Sequence, residues 1–119
     1  MSRPRKWTKE IRNLLYQILM ERFGPYHTWN NNNYPEGKRD EYLKFLDDFS
    51  NAMTSLYPDD PTSPKAVEQQ FAWGVTDQET ISGGHMTVFV QNISTAYESG
   101  FLRAKDLPKM ILSEREKVN

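Results

Sequence analysis

Apolar side chains return along this chain at intervals of three and four residues, and polar runs separate the stretches where they do. After Thr8, the residues Ile11, Leu14, Leu15, Ile18 and Leu19 share one side of a helix, the spacing of a face that is buried. Gly24-Pro25 ends this helix, since Gly suits the residue past the last turn and Pro cannot continue it. Trp7 stands just outside, placed to fold back onto the first turn. Residues 25–38 read as a loop, because Asn30 to Asn33, Tyr34-Pro35 and Glu36-Gly37 are turn chemistry.

A second helix is predicted from Arg39 to Tyr57, with a stripe of Tyr42, Leu46, Phe49, Met53 and Leu56 that Leu43 and Phe45 widen. Pro58 stops it. Ser63-Pro64 is a third start, Ser as the cap and Pro at the first helical position. That helix runs to Trp73 and is closed by Gly74, with Val67 and Phe71 inward and Lys65, Glu68 and Gln69 outward. Residues 75–84 are a polar connector.

Thr87-Val88-Phe89-Val90 has the β-branched character of a strand. Met86, Val90, Ile93 and Tyr97 are nevertheless helically spaced, and no other segment offers a partner strand. A lone strand leaves its backbone groups unpaired, so residues 85–98 are expected to be helical. Ser99-Gly100 closes this helix. A short last one starts near Asp106-Leu107-Pro108 and frays after Glu114. The expected fold is all-α: a bundle of about five helices in a single domain over 1–119. Its parts are a flexible basic arm (1–6), a tri-helical core (7–74) and C-terminal helices (85–119). No internal repeat is found.

Composition narrows the chemistry. The chain has 119 residues and no Cys, which excludes disulfide scaffolds, thiolate metal sites and thiol catalysis. Its longest aliphatic run, Ile18-Leu19-Met20, is far too short to cross a membrane. The basic start, Met1 to Lys6, is followed by neither an apolar segment nor a cleavage site. A soluble protein of the cytoplasm or nucleus is the expectation.

Sites for metals and cofactors are hard to assemble. His27 and His85 lie far apart in sequence, and a metal needs three or four converging ligands. Counted as a calcium loop from Asn30, the chain has Pro35 where the sharp turn requires Gly. Pro58-Asp59 with Glu68 and Gln70 lacks the sheet and the lysine of metal-dependent nucleases. No phosphate loop, nucleophile elbow or dinucleotide fingerprint occurs. Asn92-Ile93-Ser94 matches a glycosylation acceptor but falls mid-helix. The expectation is no metal, no cofactor and no enzyme.

The net charge of −1 conceals a division. Residues 1–39 carry eight Lys/Arg and three Asp/Glu, a balance of +5; residues 40–98 stand at −8 and residues 99–119 at +2. Such asymmetry suggests a polyanion contact near the N-terminus.

Lys6-Trp7-Thr8-Lys9-Glu10 at the head of an amphipathic helix, Trp29 beyond it, and Ser63-Pro64-Lys65 through Trp73 resemble the Myb/SANT-like tri-helical family over residues 6–74. The resemblance implies a helix-turn-helix variant whose third helix lies in the DNA major groove. It implies Trp7 and Trp73 as core aromatics and Lys65, Glu68 and Gln69 on the reading face.

Electrostatics adds Arg3, Arg5, Lys6, Lys9 and Arg12 as phosphate contacts, with Arg3 and Arg5 as a minor-groove arm. Gln69 and Gln70 have the amides that read adenine edges. Double-stranded DNA is thus the first expected partner. The alternative is a protein partner or a second copy, met by the aromatic connector residues Trp29, Tyr34 and Tyr57 and by the acidic second helix. An acidic DNA mimic ranks lower, because −1 is far from the charge of a polyanion.

Overall fold

A computed structural model describes residues 6–24, 37–74 and 84–118. It contains α1 (Lys9–Phe23), α2 (Arg39–Leu56), α3 (Pro64–Trp73), α4 (Gly84–Glu98), a 3-10 turn (Ala104–Asp106) and α5 (Leu107–Val118). The fold is an all-α bundle, with no strand among the described residues. Residues 87–90 are helical, as the missing partner strand required. The last helix continues past Glu114 to Val118.

The ends form as their residue types dictate. Thr8 accepts from the Ile11 amide at 3.2 Å and Ser63 from the Ala66 amide at 3.1 Å, so both predicted caps satisfy donors that the first turn leaves open. Gly24 closes α1 at a φ of 78°, where a side chain is disfavoured.

Ile11, Leu14, Leu15, Ile18 and Leu19 are buried, as are Tyr42, Phe45, Leu46, Phe49 and Met53 of α2. Val67 and Phe71 of α3, Val90 and Ile93 of α4, and Leu107 and Ile111 of α5 join the same cluster. One core therefore runs through all five helices. Leu43 lies at its margin, 36% exposed. Trp7 is half-buried and stacks on Phe49 of α2, centroids 6.3 Å apart and planes 8° from parallel. That stack ties the residue preceding the cap of α1 to the middle of α2.

Polar contacts fix the helix directions. The ends of α1 and α4 meet where Arg22 Nε bonds Glu98 Oε1 at 3.1 Å. Arg22 also pairs with Glu41 at the start of α2 and lies 5.1 Å over the Tyr97 ring. At the opposite end, Arg115 of α5 lies 3.3 Å from Glu10 of α1, and Glu114 bonds His85 of α4 at 2.7 Å. Helices α1 and α4 are thus parallel, and α2 and α5 run the other way.

Candidate functional site

The third helix is held by two links to α2. Thr54 Oγ1 accepts from the Thr62 amide at 3.0 Å, fixing the loop that feeds α3. The buried Tyr42 hydroxyl donates to Glu68 Oε2 at 2.9 Å. Helical spacing predicts Glu68 outward, and the family resemblance implies a place for it on the reading face. Instead it is half-buried against α2, because a buried phenol needs an acceptor and Glu68 supplies it.

Trp73 departs from expectation in the other direction. The family resemblance implies a core aromatic, and the indole is 69% exposed. The inner line of α3 passes through Val67 and Phe71, and Trp73 follows Phe71 by two residues, about 200° around the helix. The outer face of α3 is therefore Lys65, Gln69, Ala72 and Trp73, all exposed. Gln70 is half-buried, with its amide oxygen enclosed in the protein.

The expected phosphate contacts divide into three groups. Arg3 and Arg5 lie outside the described residues, as do Trp29 and Tyr34. Lys6 is pinned: Nζ lies 3.0 Å from Asp60 Oδ2 and donates to the Asp60 carbonyl at 3.1 Å. Its side chain is only 16% exposed and its charge is matched. Lys9 and Lys65 are exposed, and Arg12 is half-buried. Asp59 is exposed beside Asp60 in the loop preceding α3.

Tyr57 is half-buried at the end of α2. Burial raises its phenol above the ordinary value, against an opposing effect from Arg115. It acts as an aromatic lid on the end of the bundle. Clefts also lie among the described residues. A trough of about 700 Å³ lies between α1 and α4, lined by Tyr16, Gln17, Met20 and Glu21 on one side and by Gln91, Ser94, Thr95 and Glu98 on the other. A cleft of about 350 Å³ beside Arg22 and Tyr97 carries Lys44, Asp48 and Arg103.

Among the described residues, no group of three or more His, Asp or Glu is placed to hold a metal ion. None of the described helices is long and apolar enough to cross a membrane. No protein family, no curated protein and no solved structure matches this chain.

Sequence reasoning missed the exposed Trp73, the Arg22 network and Phe101, which is 81% exposed after α4. The first had a signal in the helical spacing. The others depend on how distant segments meet.

Proposed function

We propose that this chain is a protein-binding helical module whose contact face is the outer side of α3, anchored by Trp73. The observation that carries this reading is the 69% exposure of that indole on a helix whose other outward residues are Lys65, Gln69 and Ala72. Tryptophan is enriched among residues that dominate binding energy, and charged residues are depleted at interface centres. A face with one lysine and an exposed indole at its C-terminal end fits both tendencies. The test compares proteins retained by the immobilised chain with those retained by Trp73→Ala and Lys65→Ala. A partner lost with Trp73→Ala and kept with Lys65→Ala supports the reading. Retention indifferent to Trp73 overturns it.

Duplex DNA is the second reading, favoured by the Lys6–Asp60 link. That link sets the start of α1, which carries Lys9 and Arg12, beside the loop feeding α3. The charge count weighs against it. Lys6 is matched by Asp60, α3 contributes one cation, and Asp59 stands nearby. Duplex affinity comes largely from Lys and Arg neutralising phosphates, and few unmatched cations stand here. Binding to random duplex that weakens steeply with salt, and weakens further in Arg3→Ala/Arg5→Ala, would favour DNA. Absence of binding at low salt, where the phosphate attraction is strongest, would remove it.

A further inference from the structure

The trough between α1 and α4 carries charge of one sign. Its charged lining residues are Glu21 and Glu98, and no Lys, Arg or His among the described residues lines it. Both carboxylates sit where a helix disfavours them. Glu21 lies in the last turn of α1, and Glu98 is the last residue of α4. The two helices are parallel, so their C-terminal ends, each with partial negative charge, meet at this end of the trough. Nearby cations do not balance it. Arg22 is shared by Glu98 and Glu41, and Lys38 Nζ donates to the Arg22 carbonyl at 2.7 Å. Arg22 and Lys38 thus stand against Glu21, Glu41, Glu98 and two helix ends. Glu21 itself is exposed and makes no ion pair among the described residues.

The rest of the lining suits a long cationic side chain. Tyr16 and Met20 are half-buried and give the trough an apolar stretch, while Gln91 and Thr95 opposite are exposed. Lysine and arginine lay their methylene stems on apolar surface and carry the charge beyond it, and a guanidinium also stacks on aromatic faces. The trough adjoins the contact face proposed above. A Cβ added at Gly74 would stand 3.6 Å from Tyr16 Cε2, so the backbone that follows Trp73 lies against the ring that lines the trough.

We infer that the trough between α1 and α4 receives a Lys- or Arg-bearing segment of the protein partner that Trp73 anchors, with the basic side chain directed to Glu21. This rests on the protein-binding reading of α3. Charge complementarity selects the occupant, since the same carboxylates repel acidic segments and phosphates.

Selection of random dodecapeptides displayed on phage against the immobilised chain tests it, with thermal melts showing that each variant is folded. The selected peptides are expected to be rich in Lys and Arg and poor in Asp and Glu relative to the unselected library. Once synthesised, they bind Glu21→Lys at least about tenfold more weakly than wild type, and added salt weakens their binding to wild type. Glu21→Gln weakens binding by a smaller factor, yet the free variant melts no lower than wild type, because it removes a carboxylate from a helix end that disfavours it. Trp73→Ala separates the two readings. Peptides lost with Glu21→Lys and kept with Trp73→Ala retain the trough as the site and remove the α3 face. Peptides lost with Trp73→Ala and indifferent to Glu21→Lys overturn the inference and retain the α3 face. A selection without basic enrichment, or without binders, also overturns the inference, and the retention test of Trp73 still decides α3.

Discussion

The Tyr42 hydroxyl donates to Glu68 Oε2 at 2.9 Å, linking α2 to α3 with a buried phenol on one side and a half-buried carboxylate on the other. The contact holds α3 in place with a residue that its own spacing assigns to the surface. Removing the acceptor strands the hydroxyl, so Glu68→Ala should cost about 1–3 kcal/mol. Tyr42→Phe removes the donor and should cost less, about 0.5–1.5 kcal/mol. Urea unfolding of both single variants and the double would measure the coupling, and additive losses would count against the bond.

Arg22 gathers Glu41, Glu98 and the Tyr97 ring, one group from α2 and two from α4. Burial opposes its charge, yet Glu98, Tyr97 and Glu41 outweigh that effect and hold the guanidinium charged. With its side chain 28% exposed, Arg22→Ala should destabilise by roughly 1–3 kcal/mol, below the full cost of breaking a buried pair. Part of that loss should shrink in high salt, which the exposed partner Glu41 permits. Unfolding at two salt concentrations would show this.

The two described tryptophans should behave oppositely. Trp7 stacks on Phe49 and packs against the core, so Trp7→Ala should cost roughly 2–4 kcal/mol. Trp73 is mostly in water, and Trp73→Ala should stay within about 0.5 kcal/mol of wild type. Denaturant melts settle both, and a large loss at Trp73 would mean that it packs rather than awaits a partner.

This contrast shows what the sequence makes legible. The periods of Ile11–Leu19 and Tyr42–Met53 reveal the helices and their buried lines, because a helix repeats its geometry regardless of its neighbours. The same rule, carried two residues past Phe71, turns Trp73 outward against the family resemblance. Lys6 is another matter. Its match to Asp60 joins residues from separate segments, and no local pattern encodes where the loop before α3 returns. Glu68 is similar: its spacing reads as outward, and only the position of Tyr42 gives its carboxylate a buried partner.

Glu114 gives a pH dependence whose sign follows from its neighbours. The hydrogen bond from His85 lowers its pKa below the ordinary 4.5, with burial opposing and Lys117 assisting. A carboxylate with a depressed folded-state pKa contributes stability above its unfolded value and loses it as pH falls through the folded one. His85→Ala should therefore melt below wild type at pH above 4.5, and the gap should close as the solution is acidified beneath that value. A gap constant down to the lowest pH would mean that Glu114 is not the group involved.

Because α1 and α4 lie side by side and parallel, the faces of Ile11, Leu14 and Ile18 are sealed by segments made much later. The α2–α3 contact is short-range and can form early, whereas α1, which also meets α3, packs most extensively against the later α4. On a ribosome, where a chain emerges N-terminus first, α1 leaves the tunnel well before α4, the helix it packs against most extensively. Until α5 clears the tunnel, its apolar stripe is the surface that a holding chaperone would meet.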